Sequence, residues 1–198
     1  MQIDTTSELT IQESLVAIAN DLIINKAIRI NDKTFSLIDI EVYFWHNNHQ
    51  DDFAKGVNHD KAKGELEAHR YGIDISLGNH QGIEFGGILI CGLFDNQNIT
   101  IIEKPLVQRA LFNSLKISDN TIQFVEIQNV WTKTFRSKRN NLGIADNDNK
   151  RKYAVSLYKF LARDNSVFNK YKGKEILFKN SELSDTEVKE LLGYNISR

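Results

Sequence analysis

The sequence predicts an α+β fold in a single domain, and three observations predict it. Runs rich in β-branched and aromatic residues crowd the stretch from 27 to 103 and return at 121–127 and 153–161. Helix-start signals lie toward the ends: Thr10-Ile-Gln-Glu13 and Ser184-Asp-Thr-Glu187 both read as capping boxes. The regular strand–helix alternation of a doubly wound sheet is missing. At 198 residues, 41% hydrophobic and 26% charged, the chain can bury one sizeable core, and neither a repeat nor a linker divides it.

The elements follow in order. A helix over 10–25 places Ile11, Leu15, Ile18, Ala19 and Leu22 on one stripe. Strands over 27–30 and 34–44 are joined by a tight turn at Asn31-Asp32-Lys33. Residues 47–63 are polar and without period, a long loop of the kind that carries function in a compact domain. Order resumes over 64–69, and strands are predicted at 72–77 and 83–94 around a turn at 78–82. Gly86-Gly87 allows a bulge or a close backbone approach. A short strand over 99–103 leads to Pro105, which suits the first turn of a helix reaching about Leu115. The last helix stops near Gly193.

The most informative stretch is Leu37-Ile-Asp-Ile-Glu-Val-Tyr-Phe-Trp-His46. In a strand, Ile38, Ile40, Val42 and Phe44 form one apolar face, while Asp39, Glu41 and Tyr43 share the other. Such a strand is half exposed or lines a cleft. All five histidines (His46, His49, His59, His69 and His80) fall between 46 and 80, directly after it. A carboxylate strand running into a histidine-rich segment is a candidate active-site wall.

Composition excludes several classes. No apolar run approaches the ~20 residues of a membrane span. The polar, acidic start, Met1-Gln-Ile-Asp, is not a secretory signal. The single cysteine, Cys91, rules out an intrachain disulfide framework and sits in an apolar run where a buried thiol is expected. These features fit a cytoplasmic protein. Phosphate-binding glycine loops and the Gly-x-Ser-x-Gly elbow are missing. The net charge of −1 hides an asymmetry: residues 1–100 carry 7 basic and 15 acidic groups, residues 101–198 carry 18 and 11. The basic surplus concentrates in 133–152, where Arg136, Lys138 and Arg139 are candidate phosphate contacts on a solvated or nucleic-acid-binding segment.

The order of short motifs resembles the alkyladenine (3-methyladenine, methylpurine) DNA glycosylases over residues 11–161. Ile40-Glu41-Val42-Tyr43 resembles their Glu-Ala-Tyr signature. Gly64-Glu-Leu-Glu-Ala-His69, Tyr71-Gly72 and Asp74-Ile-Ser76 are similar to the family's next strand, hairpin tip and following strand. Gly87-Ile-Leu-Ile-Cys-Gly-Leu93, Asn141-Leu-Gly143 and Tyr158-Lys-Phe160 complete the set. The resemblance implies a curved, mostly antiparallel, barrel-like sheet with flanking helices, and excision of damaged purines flipped out of duplex DNA. It implies Glu41 as the carboxylate that activates water, with no cofactor, metal or obligate protein partner. Tyr43 and His69 would sandwich the base, Asp74 would line the pocket, and Tyr71 would fill the gap left in the DNA. One of His49, Lys55 and His59 would stand where the family has a pocket histidine. His69 replaces a tyrosine, Asp74 replaces an asparagine, and the hairpin at Tyr71 is shorter than the family's.

Two other readings stand beside this one. His46-x-x-His49, with His59, His69, Glu41 or Asp74, has spacing usable for a zinc or iron site. Alternatively, the chain is a binding module of the same fold without the chemistry.

Overall fold

A computed structural model describes residues 1–55, 57–58, 60–79, 82–95, 97, 99–128, 131–140, 142–168, 171 and 173–197; His59, His80 and Asn141 lie outside them. The elements run α1 (Glu8–Ile24), β1 (Lys26–Ile30), β2 (Lys33–His46), β3 (His49–Gln50), β4 (Leu66–His69), β5 (Gly72–Ser76), β6 (Phe85–Asp95) and β7 (Thr100–Ile102). They continue as α2 (Lys104–Phe112), β8 (Ile122–Glu126), β9 (Thr134–Ser137), α3 (Asp148–Ala154), β10 (Lys159–Ala162), α4 (Asn165–Phe168), α5 (Lys174–Lys179) and α6 (Asp185–Leu192). The architecture is α+β: a curled antiparallel half-barrel sheet with helices around it. Among the described residues no helix is long and apolar enough to cross a membrane.

The sheet is built on β2. One of its edges pairs with β6, from Phe35↔Asp95 to Trp45↔Phe85. The other edge is shared in succession by β1 at Lys33–Ser36, β10 at Asp39–Glu41 and β3 at Trp45–His46. β5 and β4 extend the sheet beyond β6, β8 extends it beyond β1, and β9 beyond β10. The β2–β6 register slips on both sides of Asp39. Such an irregularity bends a strand and adds twist, here at the carboxylates. Gly86 makes the close approach that its sequence suggests: at φ 137°, an added Cβ would lie 2.1 Å from Tyr43 O.

The apolar face Ile38, Ile40, Val42 and Phe44 is buried in the core together with the α1 stripe Ile11, Leu15, Ile18, Ala19, Leu22 and Ile23. Burying each large aliphatic side chain contributes about 1.5–3 kcal/mol. On the opposite face α2 packs over β5, β6 and β7. There Gly72 leaves room for the Leu89 side chain and the Lys104 stem. The Glu41 face of β2 is thus roofed in part by α2.

Three boundaries differ from the sequence reading. α1 is capped by Ser7, not Thr10: Ser7 Oγ accepts the Thr10 N–H at 3.2 Å, and Thr10 Oγ1 accepts the Ser7 N–H at 3.1 Å. The predicted strand over 153–161 is instead the end of α3 followed by β10. Asn147 Oδ1 accepts the Lys150 N–H at 2.8 Å and starts that helix, and Tyr153 is buried in its last turn. β9 lies in a polar stretch with no strand signal and exists through its pairing with β10.

Arg139, a candidate phosphate contact, is instead a core residue. Its guanidinium donates to Asp51 Oδ2 at 2.7 Å, Val42 O at 3.0 Å and Tyr153 O at 3.0 Å, and both ion-pair side chains are fully buried. It joins the loop after β3, the end of α3 and β2. Arg139→Met strands the Asp51 carboxylate and is expected to cost about 3 kcal/mol, read as a lower urea midpoint. Adding Asp51→Asn should recover part of that loss. A single-mutant midpoint equal to wild type would refute this account of the pair.

Candidate active site

β2 turns Asp39, Glu41 and Tyr43 to one face, and β10 sets Lys159 directly opposite Glu41. Lys159 therefore lies between the two carboxylates. Its Nζ is 2.6 Å from Asp39 Oδ1, donates to Asp39 Oδ2 at 2.9 Å, and donates to Glu41 Oε1 at 3.3 Å. The other Glu41 oxygen accepts from Lys104 Nζ at 3.2 Å and from the Tyr43 hydroxyl at 3.0 Å. The Tyr171 hydroxyl donates to Asp39 Oδ2 at 2.6 Å. Two carboxylates and two ammonium groups thus balance in charge. They line a cavity of about 380 Å³ together with Cys91 and Tyr171. That volume is within the range of about 300–1,000 Å³ typical of small-molecule sites.

The environment separates the two carboxyl groups. Burial alone would raise the Glu41 pKa, but the Lys159 and Lys104 ammonium groups outweigh it and hold it at about 2. Burial also acts on Asp39; with Glu41 beside it, it prevails over Lys159 and raises the Asp39 pKa. Glu41 is therefore a full anion at neutral pH, and Asp39 is the first of the pair to take a proton. Burial lowers the Lys159 pKa less than Asp39 and Glu41 raise it, so Lys159 stays charged. Burial and the Glu41 charge keep the Tyr43 hydroxyl protonated. Cys91 is buried, as its sequence context suggests, and burial pushes its thiol pKa up.

The candidate residues from the sequence divide into groups. Glu41 and Tyr43 meet through their hydrogen bond, and the Arg139 guanidinium covers the Tyr43 ring at 4.4 Å. Asp74 is two strands from Glu41, with Leu89 between them in register. It is therefore not the carboxylate neighbour of Glu41; Asp39 is. Asp74 Oδ1 faces His69 Nε2 at 3.2 Å, and the Asn58 amide approaches Asp74 Oδ2 over Gly87. Tyr71, at the β4–β5 tip, is exposed, and its ring meets His69 edge-on.

Tyr43, His69, Tyr71 and Asp74 are not among the described residues that line the cavity, so the expected base sandwich and Asp74 contact do not form on its wall, and the remaining candidates do not reach it either. His49 is a buried core residue: Nδ1 lies 2.8 Å from Phe44 O and Nε2 lies 2.7 Å from the Tyr158 hydroxyl. Burial lowers its pKa, so it is neutral at pH 7. Lys55 lies over the Trp45 ring at 5.4 Å. His46 Nδ1 accepts the Asn48 N–H. Among the described residues no three histidine, cysteine or carboxylate groups converge as metal ligands; His59, expected as a ligand, lies outside them. In β9, Ser137 is the register neighbour of Lys159, which places Arg136 on the opposite face, where it pairs with Glu182 at 2.7 Å. Lys150, Arg151 and Lys152 pair with Asp146, Asp148 and Glu8. Lys138 is half-buried and, among the described residues, is not ion-paired.

The facing Asp74 carboxylate raises the His69 pKa above 6.5, against partial burial and the nearby Lys104 charge. The stabilisation is therefore present in full below pH 6.5 and is lost as pH rises through the folded-state pKa. In a proton NMR titration His69 should titrate above 6.5, and Asp74→Asn should lower its midpoint. An unchanged midpoint in that variant would remove Asp74 as the cause.

Lys104, Lys159 and Tyr171 are site residues that the sequence did not mark. Lys159 lies in a motif that was noticed, but its role depends on the β2–β10 register. Lys104 precedes Pro105 at the start of α2, and Glu103 before it takes φ 82°, a conformation that costs a non-glycine residue roughly 1–3 kcal/mol. Such outliers cluster where a side chain must be aimed. Comparison with protein-family models, curated proteins and solved structures gives no match to this chain.

Proposed function

We propose that this chain hydrolyses the N-glycosidic bond of damaged purines in duplex DNA, with Glu41 as the carboxylate at the sugar. The observation that supports this most is Glu41 itself: a buried carboxylate kept ionised, at a pKa of about 2, on the wall of a cavity large enough for a nucleoside. Loss of a base from a sugar passes through an oxocarbenium-like state in which positive charge appears at C1′ before water has bonded. A fixed anion at that carbon stabilises the developing charge and orients the attacking water. Full ionisation matters more for this than high basicity. Lys104 and Tyr43 hold one oxygen of Glu41 and Lys159 the other, so the carboxylate need not reorganise as charge develops.

DNA as the source of the nucleotide rests on the sequence resemblance. Lys138 and the exposed Tyr71 are the predicted DNA contacts that remain available; Arg136 and most of the basic segment are engaged with carboxylates. A second reading, a binding module without turnover, is favoured by the internal charge balance of the Asp39–Lys159–Glu41–Lys104 cluster, which a structural cluster also needs.

The test is base release from duplex DNA containing hypoxanthine, ethenoadenine or 3-methyladenine, and from the corresponding free nucleosides. Release by the wild type from duplex DNA, lost in Glu41→Gln, is the expected result. Release from nucleosides alone would replace DNA as the substrate. No release from any of them would leave the binding module.

A further inference from the structure

Among the described residues two amines reach the Glu41 carboxylate, and they are not equivalent. Lys159 is enclosed and held by both Asp39 and Glu41, with 6% of its side chain exposed. Lys104 pairs with Glu41, lines the cavity and is 33% exposed. Its backbone is fixed by the unusual Glu103 conformation and by Pro105, and its stem packs over Gly72. A solvent-reachable amine is thus held against a fixed anion on the wall of a cavity read as a sugar site.

We propose that Lys104 is an amine nucleophile toward sugar aldehydes, forming an iminium with the open-chain deoxyribose left when a base is lost. The proposal rests on reading the cavity as a sugar site. Lys104 Nζ, on a side chain that is 33% exposed, gives one ammonium proton to solvent, which frees its lone pair. The amine then attacks the aldehyde carbon, and a second nitrogen proton moves to the former carbonyl oxygen. A solvent proton then adds to the resulting hydroxyl, which leaves as water as the C=N bond forms, while the Glu41 carboxylate stays opposite the positive nitrogen. Ammonium plus aldehyde give iminium plus water, with one positive charge before and after. The charge balance against Glu41 is therefore unchanged, so the cluster that holds the ammonium also holds the iminium. No oxidant or further reactant is required.

The experiment uses duplex DNA carrying one abasic site, with borohydride to reduce any iminium to a stable amine. The wild type should give a covalent protein–DNA band on a denaturing gel. Lys104→Arg keeps the positive charge without a reactive amine and should lower the band roughly tenfold or more. In parallel, intact-mass analysis and peptide mapping follow reaction with 2-deoxyribose and borohydride. Preferential labelling of Lys104 by the free sugar without duplex trapping supports the amine and counts against DNA as the substrate. Equal duplex trapping by Lys104→Arg overturns the proposal, as does failure to trap or label Lys104 with either probe. Base release without trapping also overturns it, while leaving hydrolysis by Glu41 intact.

Discussion

Glu41→Gln is expected to lower base release by roughly 10²–10³-fold, the range for loss of one preorganised electrostatic contact to the transition state. The substitution keeps the shape and one carbonyl oxygen, so Lys104 or Tyr43 retains an acceptor. It removes the charge that the proposed mechanism sets against C1′. The remaining cluster of Asp39, Lys159 and Lys104 then carries one excess positive charge in a buried site. The weakened contacts should cost about 1–3 kcal/mol, the scale of hydrogen bonds to charged groups. The variant should therefore fold, melt somewhat lower and bind the same duplex. The decisive measurement is single-turnover base release at saturating enzyme, which separates chemistry from binding. Turnover at the wild-type rate would exclude Glu41 from the reaction.

Lys159→Met is expected to have the largest effect on stability. It removes the ammonium that lies between two carboxylates, each of them 2% exposed. Lys104 continues to pair with Glu41, but among the described residues Asp39 keeps only the Tyr171 hydroxyl. Breaking a buried pair from one side costs about 3–5 kcal/mol, because the abandoned charge stays buried. The pH dependence gives this a sign. Asp39 already has a raised pKa in the folded protein, and losing Lys159 raises it further. A carboxyl group whose folded pKa exceeds its unfolded value destabilises the fold at high pH and is relieved as pH falls and it takes a proton. The penalty of Lys159→Met should therefore be smaller at pH 5 than at pH 7, measured by urea unfolding at both. The wild-type Glu41 contribution runs the other way: it is present above about pH 4.5 and lost as pH falls toward 2. A penalty independent of pH would mean that Lys159 acts through packing and not through its charge.

Local pattern was enough for much of the fold. The period-2 alternation of 37–44 placed Ile38, Ile40, Val42 and Phe44 in the core and Asp39, Glu41 and Tyr43 together, because strand geometry turns alternate side chains to opposite faces whatever surrounds them. The α1 stripe, the start of α2 at Pro105 and the Ser184 capping box are likewise set by short-range contacts. Elements that depend on a distant partner were not legible. β9 has no strand composition of its own and forms against β10. Tyr153 reads as part of a strand yet closes a helix capped by Asn147.

The same division holds at the site. By itself, the sequence determined the α+β class and the strand that sets Asp39, Glu41 and Tyr43 on one face. Tertiary structure decided what surrounds that carboxylate. The β2–β10 register brought in Lys159 across 118 residues, α2 delivered Lys104, and the segment before α5 contributed Tyr171. It also placed His49 and Arg139 in the core, where the one hydrogen-bonds Phe44 and Tyr158 and the other is paired with Asp51. The physical reason is range. Backbone geometry and capping act over a few residues and are written in local pattern. The state of a buried charge is set by whichever groups the fold brings within a few ångströms, and chain order does not encode that directly.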